Sequence, residues 1–290
     1  MQAFDYVAAK SLSEAVDLLT KYRDQARILG GGTDLIVQVR ENRRPVGVMV
    51  DIKGVPEVNT LSYNGSLEIG ASVPCYKIYS NREVKSKFPA LVDATSIIGG
   101  VQIQSRASVG GNLCNASPAA DSIPVLIVLG AQCAIEGPSG ERSIAVEDFC
   151  TAPGQTVLES NELLVKLVIP TPAPNASSFY LRFIPRNEMD IAVVGAGAAV
   201  ELSADHQTFV SARIALGAVA PTPLFAAAAS SVLAGKPVSD ESIEEACEAA
   251  KGIATPISDM RGTAAQRTHL VGVLTRRALN GAINRIKEGN

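Results

Sequence analysis

Leu12, Ala15, Val16, Leu18 and Leu19 recur at helical spacing behind Ser11-Leu12-Ser13-Glu14, whose hydroxyl and carboxylate fit a capping box. The pattern predicts a first helix. Arg27-Ile28-Leu29 reads as a short strand running into Gly30-Gly31-Gly32, after which Leu35, Ile36 and Val39 resume helical spacing. Residues 46–52 and 66–70 read as strands, with Asn64-Gly65 as a turn signal between them. Residues 88–98 have helical character and lead into a polar, glycine-containing run over 99–115. Residues 123–129 are apolar on every side and predict a buried helix; 132–135 begin a strand that turns at Gly137-Pro138-Ser139-Gly140.

Thr171-Pro172-Ala173-Pro174-Asn175 interrupts these patterns, because its two prolines continue neither a helix nor a central strand. The expected domain boundary lies there. Beyond it, residues 179–184, 191–202 and 210–217 read as strands of one antiparallel sheet, and 221–233, 240–254 and 268–286 as helices covering it. Strands followed by helices indicate an α+β architecture. No internal repeat is visible.

Composition narrows the class of protein. With 290 residues, 47% hydrophobic and 19% charged, the chain supports two cores rather than a disordered segment. A net charge of −3 gives no basic field, so nucleic acid is not an expected partner and any phosphate must be recognised by local geometry. Cys75, Cys114, Cys133, Cys150 and Cys247 are scattered, without a C-x-x-C pair and with only His206 and His269 as nitrogen donors. No metal site is expected within the chain, and the thiols read as reduced in a cytoplasmic protein. Met1-Gln2-Ala3-Phe4-Asp5-Tyr6 has no signal-peptide pattern, and the longest apolar stretches, 123–129 and 191–200, are too short to span a bilayer.

Two segments concentrate polar chemistry. In Ile28-Leu29-Gly30-Gly31-Gly32-Thr33-Asp34-Leu35, consecutive glycines permit positive φ, and successive N–H groups can converge on an anion at a helix start. A diphosphate fits such a nest. The plainer alternative is a tight turn capped by Thr33 or Asp34. Residues 107–121, which include Ser108, Gly111, Asn112 and Asp121, gather hydroxyls, amides and one carboxylate directly before the apolar helix. Either a polar ligand satisfies them, or the segment is a surface loop with Asp121 as a helix cap.

Val193-Val194-Gly195-Ala196-Gly197-Ala198-Ala199 superficially suggests a dinucleotide fingerprint, but the run continues as a strand would, whereas that fingerprint needs a helix after its glycines. Nucleophile elbow, zinc-protease motif and catalytic triad are all lacking, so no catalytic residue is assigned. Binding determinants without an acid–base centre suit a chain whose chemistry belongs to a cofactor.

These two segments, with Arg186-Asn187-Glu188-Met189-Asp190-Ile191-Ala192 and Ile257-Ser258-Asp259-Met260-Arg261-Gly262, resemble the FAD-binding medium subunits of the carbon monoxide dehydrogenase and xanthine dehydrogenase family of molybdenum hydroxylases. The resemblance spans nearly the whole chain. It implies a two-lobed FAD domain of the vanillyl-alcohol-oxidase (PCMH) type over residues 1–175, with lobes of about 1–55 and 56–175, and a smaller α+β domain over 176–290. It implies a small partner subunit with two [2Fe–2S] clusters and a large one with the molybdenum cofactor, in a dimer of heterotrimers. Electrons would run from molybdenum through the clusters to FAD, then to NAD or another acceptor.

By position, Ile28 to Leu35 match the diphosphate loop, and Ser108, Gly111, Asn112 and Asp121 match residues holding the rest of the cofactor. Ile98 matches a contact with the flavin, Leu164 a side chain packed on the cofactor, and Arg182 a basic position near the isoalloxazine. Plain readings remain beside these: Leu164 as core and Arg182 as a solvated strand residue. A glycine replaces the loop's common alanine, and a cysteine-rich insertion for a [4Fe–4S] cluster is lacking. The alternative function is a stand-alone FAD-dependent oxidase of the same fold, for which Cys114 lies in a suggestive loop.

Overall fold

The computed structural model describes residues 3–289, so Met1, Gln2 and Asn290, the ends of the expected domains, lie outside the described residues. The chain begins with β1 (Asp5–Ala8), α1 (Leu12–Tyr22), β2 (Ala26–Leu29), α2 (Leu35–Arg40) and β3 (Val48–Asp51). Each helix carries the chain back to start the next strand in the same direction, so the three strands form a parallel sheet in the order β1-β3-β2. α1 starts where the capping pattern places it: Ser11 Oγ accepts from Glu14 N at 3.2 Å, and Glu14 Oε2 accepts from Lys10 N at 2.8 Å. Ala15, Val16 and Leu19 then face the core.

Next come β4 (Leu61–Tyr63), β5 (Ser66–Gly70), α3 (Cys75–Ser80), α4 (Arg82–Lys87), α5 (Pro89–Thr95), α6 (Val101–Gln104), α7 (Val109–Asn115), α8 (Ser122–Val128), β6 (Gln132–Gly137), β7 (Gly140–Ala145), β8 (Cys150–Ala152), β9 (Gln155–Thr156) and β10 (Leu163–Pro170). Five of these strands form an antiparallel sheet, β4-β5-β10-β6-β7. Asn64-Gly65 turns β4 into β5, a strand pair of which the sequence pattern marks only the second member. One expectation is corrected here. The helix expected over 88–98 is confined to Pro89–Thr95, because Phe88 precedes a proline and leaves helical space at φ −131°, ψ 54°. The polar run over 99–115 holds α6 and α7, the latter capped by Ser108 Oγ on Gly111 N at 3.1 Å.

The chain closes with β11 (Ala176–Phe183), β12 (Val194–Leu202), β13 (Phe209–Gly217), β14 (Leu224–Phe225), α9 (Ala227–Leu233), α10 (Asp240–Ile253) and α11 (Ala264–Lys287). The strands pair antiparallel in sequence order. The helix expected over 221–233 is shorter, because Pro221 and Pro223 lack the N–H groups a helix would use and Leu224–Phe225 joins the sheet edge instead. The glycine run of β12 is a strand, with Gly195 against the Tyr180 ring and Gly197 against Pro124.

α9 packs on β13 and α11 on β11 and β12, covering one face of this last sheet, while α5 and α8 of the preceding unit pack on the same strands. That explains α8: all seven of its residues are buried because both the antiparallel core and the C-terminal sheet contact it. Side chains from one half can therefore reach functional groups in the other.

Candidate cofactor-binding site

β2 ends at Leu29, and the chain must turn at once into α2. Gly32 makes the turn at φ +79°, a conformation that disfavours a side chain. Gly31 serves differently: a Cβ there would overlap the Arg106 backbone, whose carbonyl carbon would lie 2.8 Å away. Positive φ within the glycine run thus belongs to Gly32 alone, and Gly31 is needed so that two backbones can touch. This close approach brings the first polar segment against the second. Gln38 Nε2 donating to Asn115 Oδ1 at 3.0 Å and Cys75 N donating to Ala107 O at 2.8 Å hold the second in place.

Between the segments lies a cavity of about 370 Å³, within the range typical of ligand sites. Ile28, the loop from Gly30 to Leu35, Ser108, Gly111, Asn112, Ile98 and Leu164 all line it. Among the described residues, none of the backbone N–H groups from Gly30 to Asp34 donates to a protein acceptor. Asp34 precedes α2 without making a side-chain cap, and Thr33 makes none, so the capped-turn reading leaves these donors unexplained. Ser122 Oγ donates to Asn112 Oδ1 at 2.6 Å, which orients the Asn112 amide and leaves its Nδ2 without a protein acceptor among the described residues.

The structure separates three of the sequence-assigned residues from this lining. Leu29 turns into a small apolar cluster with Val39, Val46 and Met49. Asp121 and Arg182 pair with each other: Arg182 donates to Asp121 Oδ2 at 2.5 Å and to Ile97 O at 3.0 Å, while Tyr180 Oη donates to Asp121 Oδ1 at 2.8 Å. Arg182 is therefore not a solvated strand residue, since its side chain is 7% exposed. Asp121 makes no helix cap either. Burial pushes the Asp121 carboxyl up to about 6, with Arg182 and Tyr180 pulling against that shift. What the two present is an ion pair, not a lone carboxylate and a lone cation.

Arg182 borders a second cavity, of about 560 Å³, between residues 93–104 and 180–189. Ile98 faces the first cavity, and its neighbours Ile97, Gly99 and Gly100 face the second, so this short segment is the wall between them.

Sequence reasoning passed over Ser72, Arg27 and Arg44, which also line the first cavity. Ser72 carried no signal, being one hydroxyl just past an apolar strand. Arg27 carried one: a cation inside a strand that is otherwise apolar. Neither arginine forms an ion pair among the described residues, and burial together with the nearby Arg44 charge lowers the Arg27 pKa, with the Asp24 charge pulling the other way. Cys114 also borders the cavity, but burial pushes its thiol up to about 12, which leaves no thiolate at neutral pH.

The residues present fit FAD. Five unpartnered N–H donors and two unpaired guanidinium groups suit a diphosphate, the buried Ser72 hydroxyl has no partner, and Ile98 with Leu164 supplies apolar walls.

Residues 2–172 match the family described as the FAD binding domain in molybdopterin dehydrogenase, and residues 179–282 match the CO dehydrogenase flavoprotein C-terminal domain. The chain is 31% identical to the xanthine dehydrogenase FAD-binding subunit of Escherichia coli O157:H7, covering 96% of this chain and 95% of that one. It is 33% identical to the carbon monoxide dehydrogenase medium chain of Afipia carboxidovorans, covering 98% of each. It superimposes with a TM-score of 0.94 on a chain of the Hydrogenophaga pseudoflava carbon monoxide dehydrogenase that lacks the Mo-pyranopterin moiety of its molybdenum cofactor, at 32% identity and 98% coverage of both chains. With its two-domain fold of the PCMH type and its phosphate-competent cavity, this chain belongs to the FAD-binding medium subunits of the molybdenum hydroxylase family.

Proposed function

We propose that this chain is the electron-transfer subunit of a molybdenum-containing hydroxylase or dehydrogenase, accepting electrons from [2Fe–2S] clusters of a partner subunit and passing them to NAD or another acceptor. The observation that carries the reading is the run of free N–H groups from Gly30 to Asp34 in the wall of a cavity with apolar sides. Bound FAD supplies the redox chemistry. The chain supplies the hold: the loop from Ile28 to Leu35 cradles the diphosphate, with Leu29 anchoring it from behind. Ser108, Gly111 and Asn112 bind the remaining polar atoms, and Ile98 and Leu164 pack on the cofactor. The Asp121–Arg182 pair acts one step back, fixing the Ile97 carbonyl and so the wall that carries Ile98.

The FAD domain is assigned to residues 1–175, in lobes of about 1–55 and 56–175, and the C-terminal domain to 176–290. The names of the relatives, a medium chain and an FAD-binding subunit, support partner subunits; the reading takes these to be a small iron–sulfur chain and a large molybdenum chain, in a dimer of heterotrimers in the cytoplasm. Among the described residues no helix is long and apolar enough to cross a membrane. A stand-alone oxidase is less well supported, since the relatives carry subunit names and Cys114 offers no thiolate for a covalent flavin link.

Native purification with the neighbouring gene products is the test. The expected result is one non-covalent, acid-releasable FAD per chain and flavin bleaching by the organic substrate only when the partner chains are present. Protein without flavin that also fails to rebind FAD overturns the cofactor reading. An isolated chain whose flavin is reduced directly by a small organic donor, with turnover on oxygen, puts the oxidase in its place.

A further inference from the structure

Ser72 follows β5 and the tight Gly70-Ala71 pair, and its backbone N–H is spent on Val58 O at 2.8 Å. Its side chain is another matter. The residue is 7% exposed and lines the FAD cavity, yet Oγ is shielded from solvent and has no hydrogen-bond partner. Leaving a hydroxyl buried and unpaired is costly, and an alanine would occupy the same backbone position without that cost. The hydroxyl sits beside Gly30, where a Cβ would come within 3.1 Å of Oγ, and Gly30 is the first of the five residues with free N–H groups. A serine hydroxyl is a donor that rotates to suit its acceptor. The free N–H groups from Gly30 to Asp34 point to the same need, a group rich in acceptor oxygens.

We propose that Ser72 is a further FAD-binding residue, its Oγ–H donating to the diphosphate and so extending the backbone nest by one side-chain donor. The proposal rests on the FAD reading above and adds a residue that the glycine motifs do not reveal. It also makes the folded state without cofactor bear an unpaired group that the cofactor then satisfies, which converts part of the cost of that group into affinity.

That gives opposite signs for two measurements on one variant. FAD, ADP and riboflavin affinities are measured for the full chain after flavin removal, for wild type and Ser72→Ala, together with the unfolding midpoint of each without ligand. The expected result is about a tenfold weaker hold on FAD and a comparable loss for ADP, with riboflavin unchanged. The ligand-free midpoint of S72A should equal or exceed that of wild type. FAD affinity within twofold of wild type overturns the role of Ser72, as does a midpoint that falls, or a variant that does not fold, because either marks a structural hydroxyl. A wild-type chain that binds neither FAD nor ADP overturns the FAD reading itself, and this proposal with it.

Discussion

Arg285, near the end of the last helix, grips both carboxylate oxygens of Asp93, 192 positions earlier in the chain, at 2.8 Å each. The same guanidinium donates to Ser178 O at 2.6 Å and lies 4.4 Å from the centroid of the Phe179 ring. Asp93 in turn accepts from Tyr180 N at 3.1 Å, so one side chain fastens α11 and β11 to α5, beside the second cavity. Removing it leaves a half-buried carboxylate with a single partner.

Arg285→Ala should lower the unfolding free energy by about 2 kcal/mol, as loss of a charge-assisted bidentate contact does. Arg285→Lys should recover less than half of this, because an ammonium does not span both oxygens as the guanidinium fork does. Urea titrations of the three proteins check the order, and equal midpoints for wild type and R285A would show that the contact contributes nothing.

Asp121 gives a prediction in pH. Its carboxyl, pushed up to about 6 by burial, holds a proton more tightly in the folded protein than in the unfolded chain, where it titrates near about 4. Its contribution to stability is therefore fully present below about 4 and is lost as the pH rises through about 6. The difference in unfolding free energy between wild type and Asp121→Asn should shift against wild type across that window and level off above it. A difference that is flat with pH, or that slopes the other way, contradicts the assignment.

Gly31 and Gly32 should respond differently to substitution, since one faces a rigid backbone and the other combines a positive φ with side-chain ends that can yield. Gly31→Val drives a side chain into the Arg106 backbone and parts the two cavity walls, so FAD affinity should fall at least about tenfold. Gly32→Ala leaves the Arg106 backbone alone but presses on the ends of the Leu29 and Ile36 side chains, and the left-handed conformation by itself costs about 1–2 kcal/mol, so the loss is seen mainly in stability. Equilibrium FAD titration beside thermal unfolding separates the two, and a Gly31→Val protein that binds FAD as wild type does would remove the close approach from the site.

What the sequence determined by itself is local. Apolar spacing, caps and prolines disclosed α1, α2, α8, most of the C-terminal strands and helices, and the strand nature of the glycine run in β12, because each is decided within a few neighbouring residues. The two polar segments were legible for the same reason: consecutive glycines and an amide-rich run mark, within a few residues, where polar backbone and side chains are concentrated. The tertiary structure decided everything that depends on distant partners. β10 reads as an apolar run and becomes the centre of a sheet only because β5 and β6 flank it. Asp121 and Arg182, 61 positions apart, carry no sign in the sequence that they meet, and the fold makes them one buried pair, since a charge so enclosed must find its opposite. Ser72 was silent in the sequence, because nothing local distinguishes a satisfied hydroxyl from one that burial has left without a partner.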